Sequence, residues 1–331
     1  MTRAVVRGVG MYVPERVVTN DDLARWMDTS DEWIRERTGI RERRWVEPGD
    51  RGSRLAAEAT RRALEHAGLE AGDLDAIVFA TLSPDHYFPG NGVFLQRALG
   101  VRGIPCVDVR NQCTGFLYAL SIADAWIRTG TYRRVAVVGS EIQSVGLDRT
   151  TRGRDVTVLF GDGAGAAILE AGATDGRGVL RVALHADGRH AEKLWLPAPG
   201  SSYPGFFSVD QIEQGLIFPR MEGREVFKHA VVRMPEAVRE VLEAEGLTVQ
   251  EVDLLIPHQA NLRISEAVQK SLGLPDDKVF NNIQRYANTT AATIPMALAE
   301  AVQQDRLTDG NLLCLAAFGS GFTWGAALVR W

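Results

Sequence analysis

Residues 53–80, SRLAAEATRRALEHAGLEAGDLDAIVFA, hold one complete structural unit. Leu55, Ala59, Ala63 and Ala67 recur at helical spacing, and Gly68 supplies a stop, because glycine readily adopts the left-handed conformation that ends a helix. An acidic turn follows. The run Leu74–Ala80 then has the length and apolar character of a buried strand. The same series returns at residues 233–258, RMPEAVREVLEAEGLTVQEVDLLIPH. There Phe227, Val231, Met234, Val238 and Leu242 form the helical stripe, Gly246 the stop and Leu254–Ile256 the strand. A second echo joins FGDGAGAAILE (160–170) to FGSGFTWGAALVRW (318–331). Both read as a strand, a glycine-rich turn and a second strand, as in a hairpin. Helices alternating with strands predict an α/β fold. A repeat of this length predicts a duplicated domain dividing near residue 172, with halves 1–171 and 172–331.

The chain has 331 residues, 45% of them hydrophobic, enough for a large core or two packed units. Its formal net charge of -5 argues against a general nucleic-acid binder, which would be basic. Cys106, Cys113 and Cys314 are scattered, odd in number and form no CxxC pair, so neither a disulfide framework nor a cysteine metal site is expected. The N-terminal MTRAVVRGVGMYVP lacks the apolar core of a secretory signal. No run approaches the roughly 20 apolar residues of a membrane span. A cytoplasmic protein with no membrane partner is expected. The GDGAGA run invites a dinucleotide reading, but strand-like AAILE follows it where that motif requires a helix.

One stretch carries chemistry. In DVRNQCTGFLYAL (108–120) a strand ends at Val109, and Phe116, Leu117, Leu120, Ala123 and Ile127 then repeat with helical spacing, with Gly130 able to close the helix. Asn111 is a candidate N-cap. Cys113 therefore falls in the first turn, where unpaired N–H groups and the helix dipole favour an anion and would lower a thiol's pKa. A reactive thiol and a buried structural thiol both remain open on this geometry, whereas Cys106 and Cys314 read as structural. Two polar sites in the second half offer partners. His258 leaves a strand end in LIPHQAN, and Asn288 sits in NNIQRYANTT before the helical AATIPMALAEAV. Loops at the carboxyl ends of parallel strands converge, which would bring both sites to one place.

Taken together with TSDEWIRERTGIRER near the start, PHQANLRI, GDGAGAA and FGSGFTWGAALVRW, these motifs resemble the β-ketoacyl-(acyl carrier protein) synthase III family over essentially the whole chain. The resemblance implies a thiolase-like fold of two duplicated halves in five αβαβα layers, and a homodimer. It implies an acyl-CoA and a malonyl-(acyl carrier protein) as substrates, and no metal or redox cofactor. It also implies a catalytic set of Cys113, His258 and Asn288, with the backbone N–H groups of Cys113 and Ser320 as oxyanion donors. Trp33, Arg37, Arg152, Phe227 and Asn261 match coenzyme A positions. Phe88 and Phe160 match the acyl pocket, and Lys228, Arg263 and Lys270 match a carrier-protein docking patch. Three features depart from the family pattern. Arg110-Asn111-Gln112 precedes the cysteine where small residues are common, Ala287 stands where glycine is usual, and residues 197–220 form a longer segment. A related reading is an acyl-transferring or condensing enzyme of a secondary pathway with a longer or unusual acyl group. A third, a non-catalytic partner of a carrier protein, fits poorly because the nucleophile is present.

Overall fold

The computed structural model describes residues 2–172, 176–203 and 205–331. Two sheets organise it. The first holds β1 (Arg3–Tyr12), β2 (Ala76–Ala80), β3 (Cys106–Val109), β4 (Arg134–Glu141) and β5 (Gly163–Gly172). The second holds β6 (Gly178–Ala186), β7 (Leu254–Pro257), β8 (Leu312–Gly319) and β9 (Thr323–Arg330). The main helices are α1 (Gly52–Ala67), α2 (Asn91–Leu99), α3 (Gly115–Arg128), α4 (Gly223–Ala244), α5 (Leu262–Leu272) and α6 (Thr293–Gln303).

The strand order of the first sheet is β1-β5-β4-β2-β3, and that of the second, read the same way, is β6-β9-β8-β7. The directions match as well. The first two pairings in each sheet are antiparallel, and the next, β4 with β2 or β8 with β7, is parallel. Where β3 continues the first sheet, the second has only a parallel bridge from Leu255 to Val279.

Alternation along the strands builds the layers, because successive strand residues point to opposite faces. Ala76, Val78 and Ala80 of β2 join a central core with α3 and α6, while Ile77 and Phe79 turn to an outer core with α1. In β8, Leu313, Leu315 and Ala317 face the same central core, and Leu312, Cys314, Ala316 and Phe318 face α4 and α5. The sequence of layers is helix, sheet, helix, sheet, helix. A fourth core lies over one end, built from Val18, Leu23, Ile34, Trp45, Phe160 and Ile283 among others.

The glycine stops perform as expected, Gly68 ending α1 with a positive φ and Gly246 following α4 with another. One expectation fails. FGSGFTWGAALVRW is a hairpin of β8 and β9, but FGDGAGAAILE is not. The antiparallel partners of β5 are β1 and β4; β4 ends at Glu141, and the chain between it and β5 runs out over the fourth core. Phe160 itself makes only an isolated bridge, to Asn288.

Candidate active site

Strand β3 ends at Val109, and Cys113 lies in a single 3-10 turn, Gln112–Thr114, that feeds α3. Asn111 makes no side-chain cap, so that expectation is not met; Thr114 Oγ1 instead donates to the Asn111 carbonyl at 2.9 Å. Gln112 carries the bend with φ 43, a left-handed value uncommon outside glycine. Cys113 is 7% exposed. The end of β8 passes against it so closely that a Cβ on Gly319 would fall 2.5 Å from Cys113 Cβ and 2.8 Å from its sulfur. That approach aims the N–H of Ser320 at the sulfur beside the N–H of Cys113 itself. The thiol is nonetheless pushed up to about 12, by burial first and by the Glu141 carboxylate second. The lowering expected from the helix start is thus outweighed, because a charged sulfur in a buried site loses more hydration than two N–H groups return.

His258 follows β7 directly and its N–H continues the ladder to Ala316 O of β8 at 2.7 Å. Its ring is buried. Nδ1 lies 2.6 Å from Thr293 Oγ1, and among the described residues the buried Nε2 has no hydrogen-bond partner. Burial lowers the ring pKa to about 3, so His258 is neutral at neutral pH. Asn288 is tied to the other half, its N–H donating to Leu159 O at 2.8 Å and its carbonyl accepting from Gly161 N at 3.1 Å. The Thr290 N–H donates to Asn288 Oδ1 at 2.8 Å, which leaves the NH2 group as the free end of the amide. Ala287, just before it, has φ 56 and ψ -157, a conformation that suits glycine.

Two groups that the sequence reading missed brace this loop. Glu141, at the end of β4, accepts from Ser83 Oγ at 2.5 Å, from Leu82 N at 3.2 Å and from Ala291 N at 3.4 Å. Burial raises its pKa to about 7 against those bonds. Gln143 Nε2 then links Glu141 to Thr290 Oγ1, the latter at 3.0 Å. A carboxylate closing the apolar VAVVGS run was the available signal, since a buried charge requires partners.

Of the residues matched to coenzyme A, Trp33 packs against the fourth core. Trp33 lies on a short helix, Asp31–Thr38, capped by Ser30. Arg37 stands over its ring at 4.5 Å, and so does Arg154 at 4.7 Å. Arg152 does not join them. It pairs with Asp148 at 2.6 Å and packs over Phe218. Asn261 caps α5 through the Arg263 N–H and donates from Nδ2 to Arg37 O at 3.0 Å, which joins the two segments. Phe227 is exposed on α4. Lys228 on α4 and Arg263 and Lys270 on α5 are exposed on two helices that share one core.

Phe88 is 80% exposed, and Phe160 is buried with its carbonyl accepting from Trp45 Nε1 at 3.1 Å. Neither lines the cavity of 490 Å³ on the other side of Gln143, which is bounded by Leu82, Pro84, Ile142, Val145, Leu196 and Ile217 among others. No helix among the described residues is long and apolar enough to cross a membrane.

The profile of the 3-oxoacyl-(acyl-carrier-protein) synthase III family matches residues 107–188, and that of its C-terminal part matches residues 242–331. The beta-ketoacyl-(acyl-carrier-protein) synthase III of Rhizorhabdus wittichii is 46% identical over 331 residues, covering all of both chains. That of Brucella canis is 45% identical over 335 residues, again covering both chains fully. The crystal structure of 3-oxoacyl-(acyl-carrier-protein) synthase III from Aquifex aeolicus VF5 superposes with a TM-score of 0.90 at 41% identity over 100% of each chain. The five layers described above are therefore those of a thiolase-like condensing enzyme, and the chain belongs to the β-ketoacyl-(acyl-carrier-protein) synthase III family.

Proposed function

We propose that the protein takes an acyl group from an acyl-CoA onto Cys113 and condenses it with malonyl-(acyl carrier protein), with loss of CO2, to start an acyl chain. The observation that carries this reading is the buried Cys113 sulfur under two converging N–H groups, with a neutral imidazole and a free carboxamide NH2 delivered from the second half. In the first step the sulfur attacks the thioester carbonyl, the oxyanion rests on the N–H groups of Cys113 and Ser320, and the CoA thiol leaves with the proton Cys113 gives up. In the second step the malonyl carboxylate departs as CO2, and the enolate oxygen is held by His258 and Asn288. The enolate carbon attacks the acyl thioester, and the released Cys113 thiolate takes a proton from solvent. A neutral His258 suits this work, because it offers an N–H without bringing a buried charge of its own.

Trp33, Arg37 and Arg154 offer a flat, cationic rim suited to an adenine ring and phosphates. The acyl chain is assigned to the 490 Å³ cavity, which has the volume of a small-ligand site and reaches the Asn288 loop through Gln143. Lys228, Arg263 and Lys270 form the face offered to an acidic carrier protein. Tyr87, Phe88, Val145, Phe206, Phe207 and Val209 are large and exposed, as at a protein interface, and a second copy of the chain is the proposed cover. Three unpaired cysteines accord with a cytoplasmic setting.

Intact-protein mass tests the first step. Wild type mixed with acyl-CoA gains the mass of one acyl group, and Cys113→Ala gains none. An adduct of equal yield on Cys113→Ala, or none on wild type, would falsify the assignment.

A further inference from the structure

Thr293 opens α6 and is 2% exposed. Its hydroxyl has one hydrogen to give and two acceptors in reach. His258 Nδ1 is at 2.6 Å and Thr290 O is at 3.0 Å. Thr290 O already accepts the Thr293 backbone N–H, so it does not depend on the hydroxyl. Nδ1 has no such second partner among the described residues, and the shorter contact is the one to the ring. The choice matters because a neutral imidazole carries one N–H. If the hydroxyl donates to Nδ1, the ring proton sits on Nε2, the buried atom with no protein partner. If the hydroxyl accepts instead, Nε2 is a bare lone pair.

The same turn settles the neighbouring amide. The Thr290 N–H occupies Asn288 Oδ1, so the amide meets the site with its NH2 group. An incoming oxyanion needs donors from both side chains, and residues 290–293 face both of them from behind. We propose that Thr293 is a positioning residue that sets the tautomer of His258, its hydroxyl donating to Nδ1 and holding the ring proton on Nε2. The proposal rests on the decarboxylating role given to His258 above.

Nitrogen NMR of the protein labelled at histidine reads the tautomer directly. Wild type and Thr293→Ser show a protonated Nε2 and an unprotonated Nδ1 for His258. In Thr293→Val, CO2 release from malonyl-(acyl carrier protein) falls by about ten- to a hundredfold, the usual effect of stripping a buried polar atom of its partner. Transfer of acyl from acyl-CoA to Cys113 stays near the wild-type rate, and Thr293→Ser restores CO2 release. A proton on Nδ1 in wild type, or CO2 release in Thr293→Val equal to wild type, overturns the proposal. Should Thr293→Val not fold, the wild-type and Thr293→Ser spectra decide alone. Wild type that neither takes up acyl nor releases CO2 would instead sink the functional reading itself.

Discussion

His258 illustrates how far a single residue could be read ahead of the structure. Its place at a strand end beside a polar loop was legible from LIPHQAN. Its depth was not, because burial depends on what packs over it. That depth has a consequence for stability. The folded ring holds its pKa near 3, against the ordinary 6.5. Between those values the unfolded chain binds a proton that the native ring refuses, so stability is present above pH 6.5 and is lost as the pH falls toward 3. At about 1.36 kcal/mol per pKa unit, the loss is on the order of a few kcal/mol. Urea unfolding from pH 7 to pH 4 should therefore narrow the gap between wild type and His258→Gln, or reverse it in the variant's favour. Parallel curves would contradict a buried neutral ring. Cys113 is the opposite case. Its address at a helix start was readable and its resting ionisation was not, since the fold buries the sulfur and sets Glu141 within range of it.

At the scale of elements, periodicity served well wherever an element buries one face. The stripes ending at Gly68 and Gly246 became α1 and α4, and the short apolar runs became β2 and β7. The misread element is the supposed first hairpin. The glycines of GDGAGAA looked like turn residues, yet Gly163 and Gly165 lie inside β5, where a Cβ on Gly165 would fall 2.5 Å from the backbone N of Met296 in α6. Those glycines let a central helix sit on the strand, a demand set by the other half of the chain. Gly139 in β4 has the same function, since its Cβ would lie 2.4 Å from Ala291 O in the loop beyond Asn288. Contacts between halves leave no local pattern, which is also why Gln143 escaped notice, and Thr293 escaped because its partner His258 lies 35 residues away in the chain. Arg154 was visible only as one of several arginines, and which of them covers Trp33 depends on how residues 148–157 coil.

For the whole molecule, the duplicated strand order explains the placement of the site. Cys113 follows the end of β3, His258 the end of β7 and Ser320 the end of β8. Cys113 comes from the first half, and His258, Asn288 and Ser320 come from the second. The exposed aromatic segment is the other large-scale feature. Tyr87 packs edge-on against Phe206 at 4.9 Å, so two distant segments form one apolar face. Sedimentation should give a dimer for wild type and a smaller species for Phe88→Glu; a monomeric wild type would remove the second copy as the proposed cover.

Acyl uptake at Cys113 and decarboxylation at His258 and Asn288 are separate steps, and measuring them apart is the most direct test. Acyl transfer from acyl-CoA to the protein, followed by mass, and CO2 release from malonyl-(acyl carrier protein) are measured on wild type, His258→Ala and Asn288→Ala. Both variants should still take up the acyl group, while CO2 release falls by roughly 10²–10³, the usual cost of one lost oxyanion donor. Equal loss of both steps, or CO2 release untouched by either substitution, would contradict that assignment.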